Sequence, residues 1–265
     1  MNIKIKIATL SILITISSCN FDSSSKSQKI DKPVKTVLIH CGATMYKPVS
    51  EIAEIIEKQE NCKILITKGG SGNLYRSIVE NKIGDLYLPG SEDYISRGIN
   101  EGYVKDTVFV GINKAAIFVK NGNPKNVPQS IECLTDTNYR ILIGNPNSGS
   151  IGEETKKILT KIGIYEKVKN RVKYQTIDSR DLNKAIKNND ADIVINWYAT
   201  STWENNSNYV KVLNIKNKDI FETKKLYIGL LIFSQQPDIA KKFMQYATSK
   251  KGNLIFAKYG LYFDN

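Results

Sequence analysis

Two glycine-rich stretches lie close together in the chain, Gly69-Gly-Ser-Gly-Asn-Leu-Tyr75 and Gly84-Asp-Leu-Tyr-Leu-Pro-Gly90. The first follows an apolar run at residues 64–66 and leads into Leu74 and Ile78 at helical spacing. This order predicts a turn between a strand and a helix. A helix that begins on small residues leaves backbone N–H groups unpaired at its positive end, which suits an anion. The stretch therefore predicts capture of a small oxyanion without chemistry on it.

The chain around these stretches alternates between strands and helices. Apolar runs at residues 37–41, 64–67 and 85–88 predict three strands. A helix is predicted after each of them, with Pro48 in the first turn of the first helix and Ser91 as the cap of the third. This alternation predicts a parallel sheet with helices on its faces.

A second set of elements follows a long apolar segment at residues 107–120, which we interpret as a strand that leaves one sheet and enters another. Further strands are predicted at residues 140–143, 172–174, 193–195 and 226–233, and helices at 151–162, at 182–187 and from Ile239 onward. The fold class is therefore α/β with two lobes, and the cleft between two such lobes is the usual place for a ligand.

Four predicted turns follow strands and precede helices, where open α/β sheets bind their ligands. They comprise residues 41–44, 69–72, 144–152 and 178–180. Each offers hydroxyl or backbone N–H groups at a helix N-terminus, and several such neutral donors can hold a tetrahedral oxyanion without a buried counter-ion. A single turn of this kind is usually only a helix cap. Four of them across two lobes predict a binding cleft.

The N-terminus has the pattern of an export signal. Two lysines precede an apolar run at residues 7–16, which is too short to span a bilayer, and two serines precede Cys19. Cys19 resembles a lipoprotein processing site, and the alternative is an ordinary signal peptide with an incidental cysteine. Residues 20–35 are polar and should act as a tether. We predict a signal peptide at residues 1–18 and a lipid-anchored tether at 19–35, on a protein that is periplasmic or at the cell surface.

Composition narrows the possible partners. The formal net charge is +12, but the lysines are scattered among acidic residues instead of being clustered with aromatics. The charge therefore predicts a solvated basic surface or attraction of anionic ligands and excludes a nucleic-acid partner. About 230 residues follow the tether, enough for two modest α/β domains.

The cysteines do not predict a disulfide framework. With Cys19 assigned to lipid, Cys41, Cys62 and Cys133 remain. Cys41 ends the first predicted strand and Cys62 begins the second, so in parallel neighbours they lie at opposite ends, on the order of 15 Å apart at ~3.3 Å per residue. That separation exceeds the reach of a disulfide. No Cys or His cluster predicts a site for a metal cation.

The sequence gives little support to an enzymatic function. His40 is the single histidine and lies within an apolar strand, where a structural role is the simpler interpretation. No phosphate-binding loop of the nucleotide-hydrolysing type occurs, and residues 69–75 do not match a dinucleotide fingerprint. Trp197, Tyr198 and Trp203 could form an aromatic wall for an organic ligand, or belong to a core or cleft rim. We therefore predict no enzyme activity and no cofactor.

Several motifs resemble the molybdate- and tungstate-binding branch of the periplasmic solute-binding proteins. They are Gly-Gly-Ser-Gly-Asn-Leu-Tyr75, Gly-Asp-Leu-Tyr-Leu-Pro-Gly-Ser-Glu-Asp-Tyr94, Val-Lys-Asn-Gly-Asn-Pro124, Gly-Asn-Pro146 with Ile-Gly152, and a tail that includes Pro237-Asp-Ile-Ala-Lys-Lys-Phe243. The resemblance covers residues 36–263. It implies a type II binding fold with lobe 1 at residues 36–112 and 222–265, and lobe 2 at residues 113–221.

Carried over motif by motif, the resemblance implies a set of ligand contacts. They are Ala43 and Thr44, Gly70 and Ser71, backbone N–H groups of Ser150 and Ile151, and the helix start at Asp178 and Ser179. Some members of the family place a ligand-binding tyrosine after the last strand of lobe 2, and either Asn196 or Tyr198 would fill that role here. The Asp178 carboxylate would repel an oxyanion unless it points away, so its backbone is the better candidate.

The resemblance implies a monomeric lipoprotein that delivers molybdate or tungstate to an ABC permease. Two alternatives stay open within the binding class. In one, the ligand is another anion, such as phosphate or a small organic anion; in the other, the protein senses a solute without feeding a permease.

Overall fold

The computed structural model describes residues 34–215 and 220–261. The predicted signal peptide, the proposed lipidation at Cys19 and nearly all of the predicted tether lie outside the described residues. The tether was predicted to extend through residue 35, but the first strand begins at Lys35. Within the part of the chain that is described, no helix combines the length and apolar character that crossing a membrane requires.

The first three predicted strands form a parallel group, as the alternating pattern predicts. Strand β1 (Lys35–Gly42) pairs in parallel with β2 (Cys62–Gly69) on one side and with β3 (Leu86–Leu88) on the other. Helices α1 (Tyr46–Glu60), α2 (Ser71–Asn81) and α3 (Glu92–Asn100) follow β1, β2 and β3 in turn.

Helix α1 shows why these segments are helical. Val49, Ile52 and Ile56 recur at three- and four-residue spacing and are all buried, so one face of the helix packs on the sheet. The helix ends at Asn61, which has the left-handed backbone conformation that asparagine tolerates well (φ 46°). A 3-10 turn, Ala43–Met45, connects β1 to this helix.

The long apolar segment is one strand that serves two groups of strands, as predicted. Strand β4 (Val104–Lys120) pairs antiparallel with β9 (Thr223–Leu231) along its first two thirds and with β7 (Ile193–Trp197) along its last third. Strand β9 also pairs antiparallel with β3. With β5 at Ile141–Gly144 and β6 at Gln175–Thr176, the order of strands is β2-β1-β3-β9-β4-β7-β5-β6. Strand β8 (Val210–Val212) pairs with the end of β4.

The second half contains β5 (Ile141–Gly144), which pairs in parallel with β7 and with β6 (Gln175–Thr176). Its helices are α4 (Ser150–Lys161), α5 (Tyr165–Lys169), α6 (Ser179–Lys187) and α7 (Glu204–Ser207), with 3-10 turns at Ile131–Thr135 and Tyr198–Thr202. The predicted strand at residues 172–174 is wrong: Tyr174 is exposed, and the strand forms directly after it at Gln175–Thr176, where Thr176 is buried. Helices α8 (Pro237–Thr248) and α9 (Lys250–Lys258) complete the described chain.

Two of the three hydrophobic clusters among the described residues define what we call lobe 1 and lobe 2, and the third takes most of its side chains from α2 and α3. The core of lobe 1 takes its side chains from β1, α1, the first half of β4, β9 and the last two helices, while that of lobe 2 is built on the end of β4, β5, β7, α4 and α6. Ala199, which follows β7, packs in the core of lobe 1. The lobe boundaries given above stay a prediction.

The cysteines behave as small buried groups. The strand register places Cys62 beside Lys35 and Cys41 beside Lys68, so the two thiols lie at opposite ends of β1 and β2, as predicted. Cys41, Cys62 and Cys133 are all free thiols. Burial raises the pKa of the Cys133 thiol to about 12, which keeps it protonated and unreactive at neutral pH.

His40 has a structural environment. Its side chain is buried in β1, and Nε2 lies 2.8 Å from the carbonyl oxygen of Ile83, to which it donates in the neutral tautomer. Nδ1 is buried and has no hydrogen-bond partner among the described residues. Burial lowers the pKa of His40 from 6.5, because the charged ring would have to leave water.

The His40 environment predicts a pH dependence of stability. The pKa of His40 is lower in the folded chain than in the unfolded chain, so at low pH the unfolded chain binds the proton more readily. The contribution of His40 to the free energy of unfolding is therefore complete above about pH 6.5 and is lost as the pH falls. Thermal unfolding between about pH 7.5 and 5.5 should show a falling melting temperature, and the His40→Gln variant should show a smaller fall. Equal slopes for the two proteins would contradict this assignment.

Candidate functional site

The structure brings all four predicted turns together around one small cavity between the lobes. Its lining is almost entirely glycine and short polar residues: Gly42, Ala43, Thr44, Gly69, Gly70, Ser71, Gly90, Gly149, Ser150, Ile151, Asp178 and Ser179. The space between them is about 10 Å³, close to the roughly 10–15 Å³ that a single water molecule needs. The loops are therefore drawn tightly together, and they must part slightly to seat a polyatomic ion.

Two serine hydroxyls line this cavity, and each accepts one hydrogen bond from the protein. Ser71 Oγ accepts a hydrogen bond from the Gly90 N–H at 3.0 Å, and Ser150 Oγ accepts one from Trp197 Nε1 at 3.3 Å. Both serines are at least 95 % buried. Because a hydroxyl carries a single proton, each of these groups is left with that proton to donate to a ligand.

A second pair of hydroxyls joins the lobes directly. Thr44 Oγ1 and Ser179 Oγ lie 3.2 Å apart, and both side chains are buried. Thr44 follows β1 in lobe 1, while Ser179 begins α6 in lobe 2. Within this pair one hydroxyl donates to the other, so one proton remains for a third group. The pair contributes one further neutral donor to the cavity.

Backbone N–H groups complete the donor set. Helices α2 and α4 begin at Ser71 and Ser150 and are preceded by Gly70 and Gly149, which have no side chain to cap them. Among the described residues we find no protein acceptor for the N–H groups of Ser71, Ser150 and Ile151. These groups and the partial positive charge of each helix start point to the same small volume. The arrangement is one that binds an anion.

Asp178 is the one acidic residue of the lining, and its charge is already paired. Its Oδ1 accepts the Arg180 N–H at 2.8 Å, which caps helix α6, and its Oδ2 lies 2.6 Å from Arg180 Nη2. This contact raises the pKa of the guanidinium. The Asp178 carboxylate is thus held by Arg180, so the backbone at the start of α6 is the part of this turn that suits an anion.

The lobes touch at the rim of the cavity. The Asn73 N–H donates to the Ser148 carbonyl oxygen at 3.1 Å, and Arg76 Nη1 donates to the Asn147 carbonyl oxygen at 2.7 Å. An ion pair between Lys157 and Asp93 spans 2.9 Å on the same side. Helix α2 thereby contacts the turn before α4, and helix α3 contacts α4 itself.

Two predicted ligand contacts lie outside the cavity. Asn196 is fully buried behind α6, where Nδ2 donates to the Ser179 carbonyl oxygen at 3.0 Å and to Asn183 Oδ1 at 3.1 Å. Tyr198 lies in the 3-10 turn after β7, is 39 % exposed and lines a different pocket. Asn196 therefore positions the start of α6, and the structure does not bring Tyr198 to the other predicted residues.

The sequence analysis missed Trp197 and Gly90 as parts of the site. Trp197 was assigned to an aromatic wall, a core or a cleft rim, without a contact to the predicted ligand-binding serines, yet its indole N–H donates to the Ser150 hydroxyl. Gly90 ends the second quoted glycine-rich stretch, and its N–H fixes the Ser71 hydroxyl. A Cβ at Gly90 would lie 2.3 Å from Ser150 Oγ, so only glycine fits there. The role of Gly90 could have been inferred from the glycine-rich stretch that it ends. No local sequence pattern indicates the role of Trp197.

Residues 37–262 match the family described as bacterial extracellular solute-binding proteins. The chain belongs to this family. Its members are substrate-binding proteins and not enzymes. In the part of this solute-binding protein that the structure describes, no group of three or more His, Cys, Asp or Glu side chains is placed to hold a metal ion.

Known proteins extend the comparison. This solute-binding protein is 27 % identical over 260 residues to a Bacillus subtilis (strain 168) protein named "Putative ABC transporter substrate-binding lipoprotein YvgL", covering 96 % of this chain and 95 % of that one. The periplasmic molybdate-binding protein of Azotobacter vinelandii has a TM-score of 0.72 at 17 % identity, covering 86 % of this chain and 100 % of that one. The sulfate-binding protein SubI of Mycobacterium tuberculosis H37Rv has a TM-score of 0.76 at 15 % identity, covering 86 % of each chain. The fold is the mixed α/β fold of periplasmic binding proteins, as predicted.

Proposed function

We propose that this solute-binding protein captures a tetrahedral oxyanion, molybdate or tungstate, and delivers it to an ABC permease. The observation that carries the proposal is the convergence of buried, neutral donors from two lobes. Ser71 and Ser150 each have a hydroxyl proton left to donate, and both begin helices whose first N–H groups are unpaired among the described residues. An anion held this way needs no buried cation, because oriented dipoles replace the water that it loses.

The donor set favours an oxyanion that carries no proton. The Asp178 carboxylate oxygens both contact Arg180, and the two serine oxygens already accept hydrogen bonds. Monohydrogen phosphate would bring an O–H group that needs an acceptor, and leaving it unpaired in a buried site costs about 1–3 kcal/mol. Molybdate, tungstate and sulfate have no such proton. This argument supports them over the alternative ligand phosphate.

The tightness of the cavity favours a small inorganic ion over a small organic anion. Its walls approach to within about one water molecule, and several lining residues are glycines in contact with the opposite lobe. A compact tetrahedral ion requires the smallest separation of the lobes. Opening and closing of two lobes around a ligand is a common motion in binding proteins of this shape.

The name of the Bacillus subtilis relative supports the proposed coupling to an ABC transporter and the lipid anchor at Cys19. The Azotobacter vinelandii neighbour, named for molybdate, and the Mycobacterium tuberculosis neighbour, named for sulfate, support an oxyanion as the ligand. A monomer that is held at the membrane by lipid is sufficient for this role. Solute sensing without transport is the alternative, and genes for a permease and an ATPase beside this one would favour transport.

Isothermal titration of the chain without residues 1–19 would test the proposal. We expect molybdate and tungstate to bind with one ion per chain, sulfate to bind more weakly and phosphate to bind weakest. Phosphate should bind weakest because its proton is left unpaired, which costs about 5- to 150-fold in affinity. Absence of heat with both molybdate and tungstate would contradict the proposed ligand, and preference for phosphate would contradict the argument from proton donors.

A further inference from the structure

A second, larger pocket lies beside the oxyanion cavity and is strongly basic. It has a volume of about 400 Å³, within the range of small-molecule sites, roughly 300–1,000 Å³. We call it the basic pocket, and its cationic lining residues are Lys47, Lys68, Arg180, Lys184 and Lys187. Lys47 and Lys68 come from lobe 1, whereas the other three lie on α6 in lobe 2.

Most of this positive charge is not neutralised. Of the five cations, Arg180 is paired with Asp178, but none of the four lysines has a carboxylate within 4.0 Å among the described residues. Asp181 lies on the same helix and forms no ion pair with them at that distance. Like charges so close together repel each other, and a bound anion would relieve that repulsion.

Aromatic rings and amide groups hold three of these lysines without cancelling their charge. Lys47 Nζ lies 5.1 Å from the ring centre of Trp203, Lys68 Nζ lies 4.0 Å from that of Tyr46, and Lys187 Nζ lies 4.9 Å from that of Tyr209. Lys187 Nζ also donates to the carbonyl oxygen of Asn205. Cation–π contacts restrict the ammonium groups while leaving their N–H donors available to a ligand.

The basic pocket is distinct from the oxyanion cavity. The two share Ala43 in their linings, and the remaining residues of the basic pocket are not among those around Ser71 and Ser150. The Thr44–Ser179 hydroxyl pair belongs to the oxyanion cavity only. The basic pocket also has amide groups at Asn183 and Asn206, which give it the mixture of charge and polarity that organic anions require.

We propose that the basic pocket is a second anion site, which binds a small organic polyanion with two or more carboxylate or phosphate groups. One charged group contacts Lys47 and Lys68 in lobe 1, and another contacts Lys184 and Lys187 in lobe 2. An anion with two charged groups places one near each set of lysines, so a multivalent anion gains most. Such a ligand bridges the lobes beside the oxyanion cavity and stabilises their contact.

Titration with citrate and with pyrophosphate tests this site, each on the wild type and on three variants. In Lys47→Gln/Lys68→Gln/Lys187→Gln, the pocket loses three charges. The matched control, Lys241→Gln/Lys250→Gln/Lys251→Gln, loses the same charge from exposed positions on α8 and α9. The third variant, Ser71→Ala/Ser150→Ala, alters only the oxyanion cavity. Thermal unfolding is followed for each protein to confirm that it is folded.

We expect at least one probe to bind the wild type with one molecule per chain. Affinity should fall at least tenfold in the pocket variant and less than threefold in the surface variant, and it should be unchanged in the serine variant. Equal losses in the two lysine variants would show a non-specific charge effect and overturn the proposal. Absence of saturable binding of both probes would also overturn it, as would binding lost in the serine variant. The proposed function can fail without affecting these outcomes, because they do not involve molybdate.

Discussion

A Gly70→Ala variant is expected to bind the oxyanion about 5- to 150-fold more weakly than the wild type, which corresponds to roughly 1–3 kcal/mol of overpacking. A Cβ at this position would lie 2.3 Å from the Ser148 carbonyl oxygen and 2.9 Å from that of Ile177, and both belong to the opposite lobe. Backbone atoms cannot swing aside as a flexible side chain can. The added methyl group would therefore hold the lobes apart where they must meet around the ion.

Gly69 offers the matched control for this prediction. It is the neighbouring residue and also lines the cavity, but a Cβ there would meet only the Leu74 side chain, at 3.6 Å. The Gly69→Ala variant should therefore bind within about threefold of the wild type. Titration calorimetry on the two variants, with thermal unfolding as a check on folding, gives the comparison. Equal affinity of the Gly70 and Gly69 variants would mean that contact between the lobes does not contribute to binding.

The Ser71→Ala/Ser150→Ala double variant should lose about 100-fold or more in affinity. Each serine contributes a hydrogen bond to the ion worth about 1–3 kcal/mol in a desolvated site. Each substitution also leaves a buried donor without its acceptor, namely the Gly90 N–H and the Trp197 indole N–H. The lost hydrogen bonds to the ion and the unpaired donors both weaken binding. Because the two serines line the same cavity, the effect of the double variant need not equal the sum of the single effects.

Ser249→Ala is the control for the serine variants. Ser249 caps helix α9, where its hydroxyl accepts the Gly252 N–H at 3.2 Å, and it is absent from the lining of the oxyanion cavity. This variant should lower the melting temperature by losing a helix cap, worth about 1 kcal/mol, and leave affinity unchanged. If the Ser71 and Ser150 single variants behave in the same way, both hydroxyls contribute to stability and not to binding of the anion.

Much of the fold could be predicted from the sequence because each element carries its own local pattern. The apolar run of β1, the helical spacing in α1 and the glycine-rich turn before α2 are all local features, and all three elements form where expected. The strand predicted at residues 172–174 failed because pairing with β5 decides where β6 forms. Pairing between distant segments leaves no mark in a short window of sequence.

The part of the site that is formed by backbone N–H groups could be predicted from the sequence. A turn of small residues before a helix indicates N–H groups and their direction, which is why the turns at Gly70 and Gly149 were identified. Side chains that arrive from other elements were not predictable. Trp197 reaches Ser150 because β7 and β5 are paired neighbours in the sheet, and Tyr198 turns elsewhere because a 3-10 turn begins there. The basic pocket likewise depends on the packing of α6 against the 3-10 turn that joins β1 to α1.

The most direct test of the oxyanion site is the position of the metal in crystals grown with tungstate. Anomalous diffraction near a tungsten absorption edge locates this atom independently of any assumption about the ligand. The account predicts one dominant peak per chain, between the hydroxyl groups of Ser71 and Ser150 and within hydrogen-bonding reach of the first N–H groups of α2 and α4. A dominant peak among Lys47, Lys68 and Lys187, with none between the two serines, would contradict it.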